Sequence, residues 1–209
     1  MSSGKVTVAL VVCLLVAATA AQAVPLNLVP MPPDIASGVT LISYDASTDQ
    51  LTVDGHADSY LVPPDALISP PDGGVFDLDA MIDAAGNLYG GTLIIKGATT
   101  GGSGSGTFED LLTAHLDIFG FTASPPTFEF IGTVTGGALS PDFGGVGGKV
   151  GIVVSSQDGS FPGNFEQNWE SDLGGAAADT FAYVPEPASM SLLLGATLTL
   201  ALRKRRSRK

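Results

Sequence analysis

Short alternating or β-branched runs of hydrophobic residues recur along the chain between residues 24 and 183. The clearest stretch puts Phe76, Leu78, Ala80 and Ile82 on one side and Asp77, Asp79, Met81 and Asp83 on the other. That is the pattern of a half-buried β-strand. Shorter alternating or β-branched runs cover Val39 to Tyr44, Gln50 to Asp54, Ala57 to Val62 and Leu88 to Lys96. Further strand-like segments span Thr107 to Phe121, Thr127 to Thr135, Lys149 to Ser155 and Asp179 to Val184. Between them lie turn signals, because Asp, Asn and Ser side chains bond their own backbone and Gly accepts positive φ. These are Asp45 to Asp49, Asp54-Gly55, Asp83 to Asn87 and the loop Ala98 to Gly106, with Gly90-Gly91 reading as a bulge. Two of the turns open similar hairpins, Tyr44-Asp45 to Gly55 and Ile82-Asp83 to Gly97.

Three segments depart from the alternation. Val24 to Ser37 carries Pro25, Pro30, Pro32 and Pro33 and predicts an extended entry segment that stays out of any central strand. Pro63, Pro64, Pro70 and Pro71 frame a loop around Ala66 to Ser69, and Glu109 to Leu116 alone has the spacing of a short helix. Seven to ten short strands punctuated by Gly, Pro and Asp predict an all-β domain, an antiparallel β-sandwich or barrel-like fold.

Both ends of the chain have a different texture. Residues 1–23 hold one charge at Lys5, an apolar stretch from Val6 to Ala18 and the small-residue pattern Ala21-Gln22-Ala23. This is the layout of a secretory signal peptide with an apolar helix, and cleavage after Ala23 makes Val24 the mature N-terminus. At the other end, residues 184–209 run through Pro185-Glu186-Pro187, fifteen uncharged residues from Ala188 to Leu202, and a basic cluster from Arg203 to Lys209. As a helix the uncharged run spans roughly 22 Å against a hydrocarbon core of about 30 Å. It crosses a bilayer only with local thinning and snorkelling of Arg203 and Lys204, and the cluster holds that end in the cytoplasm.

This tail resembles the PEP-CTERM sorting signal of bacterial surface proteins. Pro185, Glu186 and Pro187 match the motif, and Arg203, Lys204, Arg205 and Arg206 match the basic stop. The resemblance covers residues 184–209 only. It implies recognition by an exosortase, a membrane-embedded cysteine transpeptidase, with cleavage near the triplet and release to the cell surface or extracellular matrix. The expected partners are then the secretion machinery, signal peptidase and the exosortase, with the membrane engaged at least transiently.

Charge narrows the class of the central domain, residues 24–183. Setting aside the seven cations and Glu186 at the two ends leaves Lys96 and Lys149 against 20 acidic residues. Such a surface repels nucleic acid and anionic lipid. Cys13, the single cysteine, lies in the apolar stretch of the leader, so the mature chain forms no disulfide and offers no thiolate.

Candidate chemistry is sparse. His56 and His115 cannot make a three-histidine zinc site, although Asp54 or Asp58 could share a strand face with His56. Asp45 and Asp49, with Asp77 and Asp79, offer oxygen ligands for calcium, but Asp45 to Asp49 lacks the glycine and distal glutamate of an EF-hand loop. Solvated turn carboxylates explain the same residues. Phe161, Phe165 and Trp169 recur every four residues and either face a glycan or pack into the core. The glycine-rich Gly102 to Gly106 has neither the serine of a hydrolase elbow nor the lysine of a phosphate loop. No cofactor is expected, and no catalytic residue is assigned. The sequence therefore predicts a secreted structural or interaction protein, with an exopolysaccharide-binding module as the alternative and a hydrolase as a distant third.

Overall fold

The structure, a computed structural model, describes residues 24–61, 66–69, 74–100, 106–157, 160–171 and 176–183. Ten strands follow in order: β1 (Asp34–Asp45), β2 (Gln50–Leu61), β3 (Ala66–Ser69), β4 (Val75–Ile82), β5 (Leu88–Thr99), β6 (Glu109–Ala123), β7 (Pro126–Gly136), β8 (Lys149–Ser156), β9 (Trp169–Glu170) and β10 (Ala176–Ala182). A 3-10 turn, Ser140–Phe143, lies between β7 and β8. Every pairing is antiparallel. Strands β2, β4, β5, β6, β7, β8 and β10 lie side by side, and β1 closes the ring by pairing with β10 on one side and β2 on the other. The domain is thus an eight-stranded antiparallel barrel, and the sandwich alternative falls away.

The two extra strands complete columns of this barrel. β4 stops short of its neighbours, and β3 takes up the place between β2 and β5, pairing Ser59 with Leu67 and Ile68 with Thr99. β9 and β10 likewise share the column beside β1, β9 opposite Ser43 and Tyr44 and β10 opposite Asp34 to Val39. Ser171 joins them, donating its N–H to the Ile42 carbonyl and accepting from the Ile42 N–H at its Oγ, 2.9 Å away.

Alternation fills the interior. Phe76, Leu78, Ala80 and Ile82 are fully buried as the sequence pattern predicts, facing Val53, Leu93, Ile95, Leu112, Phe130 and Ile152 from other strands. Each such side chain contributes about 1.5–3 kcal/mol by leaving water. An eight-stranded barrel is just wide enough for side chains to fill it. Both ends are also stoppered: Phe161 and Phe165 close one, beside the β1–β2 and β4–β5 turns, while Tyr60, Leu139 and Phe143 close the other. The outer faces of β2 and β4 carry Asp54, Asp77 and Asp79, so the polarity is the reverse of a transmembrane barrel, which is apolar outside. No helix among the described residues is long and apolar enough to cross a membrane.

Several local expectations need correction. Asp54-Gly55 is not a turn; it lies inside the continuous strand β2, where a Cβ on Gly55 would collide with the Gly38 carbonyl of β1. Glu109 to Leu116 is strand, not helix: the register slips so that Leu111 is an extra residue beside the Ile95–Leu112 pair, and both leucines are buried. Such a bulge places consecutive apolar residues where a helix would also want them. Ala66 to Ser69 is a short strand, and β1 already begins at Asp34, inside the predicted entry segment. The bulge near Gly90-Gly91 is centred one residue earlier, on Tyr89. The predicted N-terminal signal helix and C-terminal apolar helix lie outside the described residues.

Candidate functional site

The two Asp-led turns close the same end of the barrel by the same device. Asp45 Oδ1 accepts from the Ser47 N–H and hydroxyl at 2.8 and 2.7 Å, and Asp83 Oδ1 accepts from the Ala85 and Asn87 N–H groups, each at 2.9 Å. These bonds favour the ionised form. The Ser47 contacts hold Asp45 below the usual carboxylate range, and those of Asn87 do the same for Asp83. Asp49 ends the first turn at φ 58°, the left-handed region, and faces the Tyr44 and Tyr89 hydroxyls at 3.5 and 3.3 Å. Burial, then Asp49, pushes the Tyr44 phenol up to about 12.

Beside the first turn, the outer surface of β1, β2 and β9 forms an open groove of about 430 Å³. Its lining is mostly polar: Ser43, Asp45, Gln50, Thr52, Asn168 and Glu170, with Tyr44 and Trp169 also contributing. The groups are held in place. Ser43 and Thr52 share a 2.6 Å hydroxyl–hydroxyl bond, Asn168 Oδ1 accepts from the Ala46 N–H at 2.9 Å, and Gln50 Nε2 donates to Asp79 at 3.0 Å.

The four candidate calcium ligands are divided among these roles. Asp45 is engaged in its turn, Asp49 faces two phenols, and Asp79 takes the Gln50 amide. Asp77 sits on the outer face of β4, opposite Asp54 of β2; burial first, then Asp79 and Asp54, push its carboxyl up, against the pull of Lys96. Among the described residues no group of three or more His, Cys, Asp or Glu side chains is placed to hold a metal ion. His56 and His115 lie on β2 and β6, with β4 and β5 between them, and both point to solvent.

Phe161, Phe165 and Trp169 come together, but inward. Phe161 lies 5.4 Å from Phe165 and 5.1 Å from Trp169 between ring centroids, and the indole stacks on Phe128 at 5.6 Å. Phe165 is 1% exposed and Trp169 8%, so the packed arrangement is the one observed and no ring face is open to a sugar. Edge-to-face contacts add to their burial.

One feature carried no sequence signal. Residues 24–33 run as a strap over the outer face of β6, β7, β8 and β10, and Glu129 pins them. Its carboxylate accepts from the backbone N–H groups of Leu26 at 2.6 Å, Asn27 at 3.1 Å and Leu28 at 2.7 Å. Asn27 sits at φ 56°, which turns the three donors toward one anion. Gly120 and Gly151 supply room: a Cβ at Gly120 would strike the Val24 carbonyl, and one at Gly151 would lie 2.6 Å from the Phe181 ring. A lone glutamate in Thr127-Phe128-Glu129-Phe130 reads like any outward strand residue, so only the three-dimensional path of the strap reveals it.

The sorting residues Pro185, Glu186, Pro187, Arg203, Lys204, Arg205 and Arg206, and the leader positions Ala21 and Ala23, lie outside the described residues. No protein-family model, no curated protein and no solved structure matches this chain.

Proposed function

We propose that this chain is an exported protein, held at the membrane by residues 188–202 during transit, processed at its C-terminal signal and delivered to the cell surface or extracellular matrix as a structural or interaction module. The observation that carries the reading is the uninterrupted order of Pro185-Glu186-Pro187, an uncharged run and the basic stop. The barrel is compatible with it in one respect. Tyr183, the last described residue, still donates its N–H to the Lys149 carbonyl, so the triplet begins two residues beyond the fold. An enzyme acting near the triplet meets chain adjoining a closed domain.

A stoppered interior and an acidic exterior suit a module that acts through its surface. Glycan binding is the second reading, favoured by the polar groove on β1, β2 and β9. The hydrolase reading has no comparable support, since the two histidines lie on separated strands.

Mass spectrometry of the protein extracted from the cell surface tests the proposal. The mature species is expected to begin at Val24 and to lack Arg203 to Lys209. Replacing Pro185, Glu186 and Pro187 together by alanine is expected to leave the basic tail in place and the protein with the membrane fraction. A surface species that starts at Met1 or retains Arg208 and Lys209 overturns the reading.

A further inference from the structure

We infer that the groove on β1, β2 and β9, together with the exposed ring of Tyr89, is a binding site for a neutral, hydroxyl-rich oligosaccharide. The inference deepens the second reading above. Its binding claim rests on the groove alone, and only its outward presentation depends on the sorting signal.

The groove offers what sugar hydroxyls need, donors and acceptors fixed in alternation. Asn168 spends its Oδ1 on Ala46, and its Nδ2, which also supports the Asp45 carboxylate, has two hydrogens to donate. Ser43 and Thr52 share one hydrogen between their oxygens, and each retains acceptor capacity. Asp45, ionised by its turn, and Glu170 supply carboxylate acceptors on either side. Side chains already held in one geometry lose little entropy when a ligand arrives.

An aromatic platform stands nearby, at a residue the aromatic spacing does not single out. Tyr89 is 59% exposed, on the bulge of β5, and its hydroxyl reaches Asp49 at 3.3 Å. Asp49 adjoins Gln50 of the groove, and Gln50 binds Asp79 on β4, the strand next to β5. Two strand spacings separate β5 from β2, about 10 Å. A short oligosaccharide lying across the strands reaches from the hydroxyl pair to the phenol ring. Its apolar ring face can then stack on Tyr89 while its hydroxyls bond along the groove.

Charge selects the class. Asp45, Asp49, Asp79 and Glu170 surround this surface, while the Lys96 and Lys149 ammonium groups pair elsewhere, with Asp110 at 3.2 Å and Asp117 at 3.0 Å. Uronate or sulfated polymers are repelled, and neutral hexose polymers are not. The groove also lies at the Phe161 and Phe165 end of the barrel, opposite the end where Tyr183 leaves.

The test uses the full chain, purified in detergent, titrated by calorimetry and saturation-transfer NMR with cellohexaose, laminarihexaose, maltohexaose and hexagalacturonate. At least one neutral hexasaccharide is expected to bind saturably and more tightly than hexagalacturonate. Tyr89→Ala and Glu170→Gln are each expected to weaken that binding about tenfold. Both side chains are exposed, so melting temperatures should stay within about 2 °C of the wild type. Failure of all three neutral probes to saturate, tighter binding of the uronate, or wild-type affinity in both variants overturns the inference. None of these outcomes bears on whether the tail is processed.

Discussion

The barrel has two outer faces that solve the same problem differently. On β2 and β4, Asp54, Asp77 and Asp79 point into water, and crowding is eased by solvent and by Lys96. On β7, Glu129 points the same way but is only 6% exposed, because the strap covers it. Phe181, also on the outside of its strand and beside Leu26, Leu28 and Met31 of the strap, is 2% exposed for the same reason. A lone buried carboxylate would be costly. Three N–H donors on Glu129 offset that cost and, in the same contact, satisfy strap backbone that has no strand partner. An outer face thus becomes core when a polar anchor lets chain lie on it.

The sharpest way to break this comparison is Phe181→Ala. If the strapped face is true core, urea unfolding should show a loss of about 3–5 kcal/mol, as for other buried phenylalanines. A loss below about 1 kcal/mol would make the strap a decoration. Glu129→Ala comes next, at about 2–3 kcal/mol, because it deprives three N–H groups of a charged acceptor. Hydrogen exchange at Leu26, Asn27 and Leu28 should rise well above that of the β4 and β5 backbone; protection left intact would mean the strap is held by apolar contacts alone.

The smallest effect has the opposite sign. Asp34 lies where the strap joins β1, and burial, then repulsion from Asp179, push its carboxyl up to about 6. A carboxyl raised in the fold favours folding when protonated, so its contribution is present below the unfolded value near 4 and is lost as pH rises through 6. Solvent screening reduces the effect to about 1 kcal/mol, or about 2–4 °C in melting temperature. Asp34→Asn should therefore stabilise the protein by that amount at pH 7.5 and not at pH 4; equal effects at both pH values would remove Asp34 from the account.

The legible part of the fold was local. Phe76 to Ile82 announces a strand because one face is buried and the other carries Asp77 and Asp79, and Asp83 to Asn87 announces its turn through side-chain bonds four residues long at most. Closure was not legible, since it depends on β1 meeting both β2 and β10, residues far apart in sequence whose pairing leaves no periodic mark. Leu111-Leu112 and Gly55 misled for a related reason: a bulge and a close strand crossing are set by the neighbouring strand, and a single chain segment does not record its neighbour. At the candidate site, the spacing of Phe161, Phe165 and Trp169 was visible but not the side they face. The groove's members come from β1, β2 and the approach to β9, and Tyr89 from a fourth segment, so only the fold assembles them.

Closure through β1 also sets a schedule. The ring is incomplete until Asp34 to Val39 finds Ala176 to Phe181, among the last residues of the domain. Pairing between such distant segments must overcome a large loop entropy before it gains contacts, and chains of this kind fold slowly. A polypeptide threaded through a narrow translocation channel has to stay unfolded until its far end has followed. In this barrel the first strand waits for the last, so a chain exported as proposed above would draw the delay needed for passage from its topology.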